Sequence, residues 1–317
     1  MEKKKLGNTD LQVAPLTFGG NVFGWTIDEK TSFELLDAFV SGGFNLIDTA
    51  DVYSRWGSGN SGGESETIIG NWLKLRGNRD KAIIATKVGS DMGQGKRDIS
   101  KAYILKAVED SLKRLRTDYI DLYQTHWDVE STPVEETLEA YSQLVKEGKV
   151  RWIGASNLSA ERLKASLEAS KRYNFPVYQT FQPEYNLYAR EGLEKELLGI
   201  CLENNIGIIN YYSLASGFLT GKYRSAADFG KSARGGGMNA YLNERGLNIL
   251  KALDTVSERH QTSPASVAIA WLIAKPGITA PIASATNLNQ LDALIEATKL
   301  KLRNEDIILL DYASAWH

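Results

Sequence analysis

The sequence predicts an α/β protein whose strands close into a (β/α)8 TIM barrel, preceded by a short N-terminal β-hairpin. Short apolar runs alternate with amphipathic segments, giving eight strand–helix units. The strand-like runs are apolar along their whole length, as expected for parallel strands that are covered on both faces. Eight units favour closure into a barrel. Because no linker rich in proline, glycine or serine divides the chain, we expect residues 1–317 to form a single domain.

Each element is predicted from its periodicity and its end signals. Residues 3–6 and 11–13 flank a turn-forming segment and predict the hairpin. Strands are predicted at residues 16–19, 44–47, 82–86, 119–124, 150–154, 177–181, 206–211 and 278–282. Helices are predicted at residues 29–41, 64–76, 100–115, 133–146, 160–173, 192–204, 244–259, 264–274 and 289–298. Ser100, Thr132 and Ser159 precede helical patterns and are expected to be N-caps.

Composition and charge exclude several classes of protein. The formal net charge is −2, which gives no electrostatic footprint for nucleic acid or for an anionic membrane. No segment has the length and apolarity of a signal peptide or a membrane span, and the single cysteine, Cys201, fits a reducing compartment. We therefore expect a cytoplasmic protein in which Cys201 packs in the core. No spacing of His, Asp and Glu indicates a metal site, and the oligomeric state is left open.

Four residues that can exchange or orient protons lie near the ends of strand-like runs. Asp48 follows residues 44–47, Lys87 follows residues 82–86 and His126 follows residues 119–125, while Tyr53 lies five residues beyond Asp48. Strand ends that face the same way form one rim of a (β/α)8 barrel, where catalytic residues are found. A tyrosine near a lysine, an aspartate and a histidine can pass a proton to a carbonyl oxygen.

Two glycine-rich segments match nucleotide-binding motifs only in part. Residues 57–62 read GxGxxG, but about nine residues separate them from the preceding strand, so we expect a rim loop instead. Residues 217–222 resemble a phosphate-binding loop, but Tyr223 stands where that motif has Ser or Thr. The second segment still has the composition to hold an anion through its backbone N–H groups and Lys222.

Several segments together resemble the aldo-keto reductases. Residues 43–50 with Tyr53 are similar to the first signature of that family. Its other markers are matched, in order, by Lys87 and by residues 125–127, 154–157, 182–186 and 212–214. The resemblance is to the bacterial branch with a short tail, which is related to potassium-channel β-subunits. It implies a (β/α)8 barrel that reduces carbonyl groups with NAD(P)H.

The resemblance and the chemistry assign the same roles to the four rim residues. Tyr53 is the expected general acid/base, with an ordinary tyrosine pKa of about 10. Lys87 is expected to lower that pKa, Asp48 to hold Lys87, and His126 to position the carbonyl oxygen.

The resemblance also implies the cofactor residues. Ser156, Asn157 and Gln182 match residues that bind the nicotinamide carboxamide, Tyr212 matches the residue that stacks on its ring, and Ser213, Leu214, Gly217, Leu219, Gly221 and Lys222 match a loop around the pyrophosphate. At the adenosine end, residues 281–290 contain no lysine or arginine. There the candidates are Ser284, Thr286 and Gln290, together with Arg234. NADP(H) is favoured by the resemblance, and NAD(H) or dual use stays open.

The expected activity is the reduction of a small aldehyde or ketone, or the reverse oxidation. Trp25, Trp56 and Trp127 are expected to form aromatic walls of the substrate pocket, although tryptophan also serves for plain packing. An alternative is a nucleotide-binding regulatory subunit with negligible turnover, like the channel-associated relatives. A third class, a barrel lyase or isomerase, predicts no nucleotide binding.

Overall fold

Eight parallel strands form the centre of the molecule. The computed structural model describes residues 2–231 and 235–316. After the hairpin strands β1 (Lys4–Lys5) and β2 (Gln12–Val13), the sheet contains β3 (Thr17–Gly19), β4 (Leu46–Asp48), β5 (Ile83–Val88), β6 (Ile120–Thr125), β7 (Val150–Ser156), β8 (Tyr178–Gln182), β9 (Gly207–Ile208) and β10 (Ile282–Ala283). Neighbouring strands follow chain order, and β10 pairs with β3.

Backbone hydrogen bonds close the sheet between its two ends. The Thr279 N–H donates to the Ile208 carbonyl at 2.8 Å, and the Ile282 N–H donates to the Asn210 carbonyl at 2.9 Å. The sheet is therefore continuous around the barrel, and the predicted (β/α)8 fold with its N-terminal hairpin is confirmed. Strands β9 and β10 are shorter than the predicted runs at residues 206–211 and 278–282.

The helices surround the barrel. They are α1 (Glu29–Ser41), α2 (Glu64–Arg76), α3 (Lys101–Leu115), α4 (Val134–Lys146), α5 (Ala160–Tyr173), α6 (Glu191–Glu194), α7 (Leu197–Glu203), α8 (Glu244–His260), α9 (Pro264–Ala274), α10 (Leu288–Ala297) and α11 (Asn304–Ala313). None of the helices among the described residues is long and apolar enough to cross a membrane.

Three details of the helices differ from the predictions. Pro133, not Thr132, is the N-cap of α4, whereas Ser100 and Ser159 cap α3 and α5 as expected. The single helix predicted over residues 192–204 is divided into α6 and α7. Helix α11 was not predicted; its Asp306 is buried and accepts from the His260 ring at 2.7 Å, which ties α11 to the end of α8.

The barrel interior is arranged in layers. Leu46, Ala85 and Leu122 each lie two residues before a polar residue of the same strand, so they face inward one layer below it. The hairpin adds Leu6 and Val13 to this buried cluster, and the amino-terminal end of the barrel is thereby filled with apolar side chains. The polar layer above it forms the floor of the candidate site. Cys201 is buried in the outer core, as expected.

Candidate active site

The four predicted rim residues lie at the carboxyl end of the barrel. His126 directly follows β6, and Tyr53 lies on the loop after β4. The prediction that Asp48 and Lys87 follow their strands was wrong by one or two residues: Asp48 is the last residue of β4, and Lys87 is the last but one of β5. The ladder of backbone hydrogen bonds therefore fixes both residues directly.

Lys87 is completely buried, with no exposed surface. Its ammonium donates to Asp48 Oδ2 at 2.7 Å, to the Thr49 carbonyl at 2.7 Å and to the Tyr53 hydroxyl at 2.8 Å. An ammonium has three hydrogens, so each of them has a partner. Burial lowers the pKa of Lys87, and the Asp48 carboxylate opposes this effect.

Asp48 connects the lysine to neighbouring strands. Its Oδ2 also accepts from the Tyr53 hydroxyl at 3.3 Å. Its Oδ1 accepts from the side-chain amides of Gln182 at 2.8 Å and Gln124 at 3.4 Å. The carboxylate is thus held from β5, β6 and β8, and this network keeps the Lys87 ammonium pointed at the Tyr53 oxygen.

The expectation that Lys87 lowers the pKa of Tyr53 was wrong. Burial raises the pKa of the Tyr53 hydroxyl well above its ordinary value, and the Asp48 carboxylate adds to this effect. The physical reason is that burial disfavours a charged phenolate, and that the Asp48 carboxylate paired with Lys87 opposes the attraction of the ammonium for it. Tyr53 is therefore a protonated phenol at neutral pH.

His126 is held from behind by Ser90. The Ser90 hydroxyl lies 2.9 Å from His126 Nδ1, and the Asn157 side-chain amide donates to the His126 carbonyl at 2.9 Å. Nε2 makes no hydrogen bond to any described residue and is the ring nitrogen left for a ligand. Burial, followed by the charges of Lys87 and Arg97, holds the pKa of His126 well below its ordinary value, so the ring is neutral at neutral pH.

The three predicted tryptophans lie around the tetrad of Asp48, Tyr53, Lys87 and His126. The Trp56 ring is 6.0 Å from that of Tyr53, and it meets the Trp25 ring edge to face at 5.6 Å. Trp127 stacks on the His126 ring at 5.7 Å. Trp56 is 50% exposed, which leaves apolar surface available beside the tyrosine.

The predicted carboxamide-binding residues form one chain of hydrogen bonds next to the tetrad. The Ser156 hydroxyl donates to the Gln182 carbonyl at 2.7 Å, and the Asn157 amide donates to Ser156 Oγ at 2.9 Å. Asn157 Oδ1 accepts from the Tyr211 hydroxyl at 2.9 Å. Because the Gln182 amide donates to Asp48, this group is connected to the tetrad.

Tyr212 presents an aromatic ring four residues beyond the end of β9. It is 48% exposed, and its backbone has a positive φ of 53°. The Asn186 side-chain amide donates to its carbonyl at 3.0 Å, which supports this uncommon conformation. The neighbouring Ser213 is buried, and its Oγ accepts from Asn210 at 3.1 Å.

The loop predicted to wrap a pyrophosphate uses much of its own backbone internally. The N–H groups of Gly217, Leu219 and Gly221 donate to carbonyls of Leu214 or Phe218 within the loop. The Leu219 side chain is fully buried. In this conformation these three N–H groups do not form the expected anion cradle. Lys222 is exposed, and its ammonium lies 5.0 Å from the centre of the Tyr223 ring.

The predicted adenosine-end residues lie beside the start of α10. The Ser284 hydroxyl bonds the Gly19 carbonyl and Asn21 Oδ1, both at 2.7 Å. The Thr286 hydroxyl donates to Gln290 Oε1 at 3.1 Å. Arg234 lies outside the described residues.

Sequence reasoning missed the residues that support the tetrad. Gln124 lies two residues before His126, so period-two alternation along the strand would have placed it on the same inward face. Ser90 lies three residues beyond Lys87, past the end of β5, and the rule for strand ends would have included it. No sequence signal pointed to the Thr49 carbonyl, because every residue has a backbone carbonyl and residue type does not single out this one.

Comparison with known proteins follows from this geometry. The model of the aldo/keto reductase family matches residues 15–315. The chain belongs to the aldo/keto reductase family. Aldo-keto reductase YhdN of Bacillus subtilis is 35% identical, over 96% of this chain and 91% of its own length. The uncharacterized oxidoreductase YrpG of the same organism is 36% identical, over 98% and 95%. A probable voltage-gated potassium channel subunit beta of Arabidopsis thaliana is 31% identical, over 94% and 91%.

Family membership and the oxidoreductase names of these relatives support an oxidoreductase role for this chain. They also support a nicotinamide cofactor, since the family generally uses one. The resemblance of its motifs to the family, carried by residues 43–50, 125–127 and 154–157, is confirmed by the match over nearly the whole chain.

Proposed function

We propose that this aldo/keto reductase family member reduces small aldehydes or ketones to alcohols with NAD(P)H, or runs the reverse oxidation, with Tyr53 as the general acid/base. The observation that carries the proposal is the contact of 2.8 Å between the Lys87 ammonium and the Tyr53 hydroxyl, inside a network that uses every hydrogen of the ammonium. Such a network fixes a proton donor at one point of the rim, as acid catalysis requires.

The cofactor, when bound, supplies a hydride. Tyr53 supplies the matching proton to the carbonyl oxygen. Its raised pKa keeps the phenol protonated and ready to donate. Once the proton has left, the phenolate oxygen lies 2.8 Å from the Lys87 ammonium, which stabilises it. Lys87 thus acts mainly after proton transfer, because it stabilises the phenolate that the transfer leaves.

His126 orients the carbonyl group. With its Nδ1 at the Ser90 hydroxyl, the ring has one free nitrogen, Nε2, and the proton arrangement that suits catalysis places a hydrogen there. That hydrogen then donates to the same oxygen that accepts the Tyr53 proton. Two donors aimed at one oxygen stabilise the charge that develops on it. The ring centres of Tyr53 and His126 are 6.0 Å apart, so the two side chains line the same part of the site.

The residues beside the tetrad fit a nicotinamide nucleotide. Tyr212 offers a half-exposed aromatic face for stacking, and Ser156 and Asn157 supply polar groups beside it. Lys222 is the cation available for the pyrophosphate. The preference between the two nucleotides is a finer question. Residues 281–290, before and at the start of α10, contain no lysine or arginine, a composition that weakens the attraction for a 2′-phosphate. Family usage favours NADP(H), and this composition favours NAD(H) or dual use.

Replacement of Tyr53 by Phe tests the proposal. We expect Tyr53→Phe to lower kcat for a generic aldehyde by about 10²–10⁴-fold, because the variant lacks the acid. Nucleotide affinity, measured by tryptophan fluorescence, should stay near the wild-type value. Tyr312→Phe, at an 84% exposed tyrosine of α11, is the matched control. A Tyr53→Phe protein with near-normal kcat would contradict the mechanism.

A second candidate is a nucleotide-binding regulatory subunit with negligible turnover. The Arabidopsis relative, named as a channel subunit beta, is the observation that favours it. The buried tetrad geometry is compatible with both candidates. Steady-state reduction of an aldehyde at an appreciable rate would support the enzyme, and tight nucleotide binding with only a single slow turnover would support the subunit.

A further inference from the structure

Arg97 is a cation beside the candidate site that has no carboxylate partner in the described part of the chain. Arg97, on the loop after β5, is exposed, and its guanidinium lies 4.1 Å from the centre of the Trp127 ring. Trp127 in turn stacks on His126. Among residues 2–231 and 235–316, Arg97 makes no ion pair and no hydrogen bond. Stacking on the indole fixes the position of the charge while leaving the N–H fork of the guanidinium open.

The other charges of this loop are neutralised locally. Asp91 accepts the N–H groups of Gly93 and Gly95 at 2.8 and 3.0 Å. Asp98 accepts the Ser100 N–H at 2.9 Å and lies 3.5 Å from the Lys96 ammonium. The carboxylates of the loop therefore have partners of their own, and Arg97 is the charge that remains to act on a ligand.

The field of Arg97 reaches the reacting end of the site. Together with burial and Lys87, Arg97 holds the pKa of His126 low, so its guanidinium acts electrostatically on the ring that faces the substrate carbonyl. The wall of the site at this point combines an aromatic face with a cation. Such a wall suits an organic molecule that carries a carbonyl at one end and an anionic group at the other.

We propose that Arg97 binds a carboxylate of the substrate, and that the preferred substrates are aldehydes or ketones bearing a carboxylate group. This inference rests on the proposed reductase function. The carbonyl would lie between Tyr53 and His126, the apolar body would pack on Trp127, and the carboxylate would meet the guanidinium fork. A planar carboxylate can accept two parallel N–H bonds from that fork, which a point charge such as an ammonium cannot supply.

The test uses two aldehydes that differ by one charge, 4-carboxybenzaldehyde and its methyl ester. Wild-type protein should show the higher kcat/KM for the acid. Arg97→Gln should lower kcat/KM for the acid by about tenfold, mainly through KM, and leave the ester within about twofold. Lys96→Gln removes a charge from the neighbouring position, with its side chain 71% exposed, and should change neither substrate. The preference for the acid should also weaken as ionic strength rises.

Three results would overturn the inference. Arg97→Gln could affect both aldehydes equally, Lys96→Gln could weaken the acid as much as Arg97→Gln does, or wild type could show no preference for the acid. If neither aldehyde is reduced, the reductase proposal fails while the carboxylate site is still measured. The probe is then 4-carboxybenzyl alcohol, titrated by tryptophan fluorescence. Tighter binding to wild type than to Arg97→Gln supports the site, and equal binding refutes it.

Discussion

Asp51 is a buried carboxylate without a neutralising partner, and its replacement by Asn should stabilise the protein. Asp51 is 2% exposed, and neither of its carboxylate oxygens has a hydrogen-bond partner among the described residues. The nearby Arg114 guanidinium donates instead to Glu66 at 2.7 Å. Burial, and next the Glu66 charge, raises the pKa of Asp51 to about 8. The group is thus protonated in the folded protein at neutral pH and ionised in the unfolded chain.

The pH dependence follows from this difference. Between the ordinary aspartate pKa of about 4 and the folded value of about 8, the folded protein holds one more proton than the unfolded chain. The free energy of unfolding therefore falls as pH rises through this window. Below the window Asp51 is protonated in both states and adds no pH dependence. A pKa difference of four units corresponds to a loss of at most about 5 kcal/mol in the free energy of unfolding. Local relaxation and water entry reduce this loss, so we expect Asp51 to destabilise the folded protein by on the order of 3 kcal/mol near pH 8.

Asn keeps the shape of Asp and does not titrate, so Asp51→Asn should be more stable than wild type by an amount that grows with pH. Urea unfolding near pH 5 and near pH 8 measures it as a change in the midpoint at constant m. The control is Asp110→Asn on α3, where the carboxylate is 47% exposed, and which should show no such trend. An Asp51→Asn protein whose gain in stability is the same at both pH values, or which is less stable near pH 8, would refute the reasoning.

Two further predictions concern the site itself. Because the pKa of His126 is held well below its ordinary value and that of Tyr53 well above, kcat for reduction should show no loss between about pH 6 and 7 and should fall only above about pH 10. An acid limb near the ordinary histidine pKa of about 6.5 would contradict this. Tyr212→Ala should weaken binding of both NADPH and NADH by about tenfold, since it removes the stacking face. Fluorescence titration of both nucleotides checks this and measures their relative affinity; unchanged affinity for both would remove Tyr212 from the site.

Much of the fold could be predicted from the sequence, because each strand–helix unit has a clear change of period. Helices α1, α2, α5 and α9 have the predicted bounds. Several strand ends, among them those of β4, β5 and β7, were set too early because the predicted run was ended at a polar or small residue. In the barrel, Asp48 and Lys87 continue their strands and bind each other inside, where the Gln124 amide also donates to Asp48. Helix α11 follows the eighth strand–helix unit and has no strand before it, so the alternation of strands and helices did not predict it.

The candidate site could be predicted where residue type and position along a strand are enough. It could not be predicted where burial and hydrogen-bond geometry set a property. The tetrad residues lie together as expected. The direction of the Tyr53 pKa was predicted wrongly because a sequence shows which charges are present but not how buried they are. Likewise, the glycine-rich composition of residues 217–222 suggested N–H groups that hold an anion, but did not show that those of Gly217 and Gly221 bond to carbonyls within the loop.

The position of Tyr53 depends on backbone hydrogen bonds that continue beyond β4, which has a consequence for Asp51. The Thr49 N–H donates to the Ala85 carbonyl at 2.8 Å, and the Asp51 N–H donates to the Lys87 carbonyl at 3.3 Å. These bonds hold residues 49–51 beside β5. A turn begins at Ala50, and in this turn the Tyr53 N–H donates to the Ala50 carbonyl. The backbone of Asp51 thus helps to position Tyr53, while its carboxyl oxygens make no hydrogen bond to any described residue. Asp51→Asn should therefore gain stability with kcat within about twofold of wild type, because the N–H group is kept. A large loss of kcat in the stabilised variant would show instead that the buried carboxyl group itself supports the tetrad.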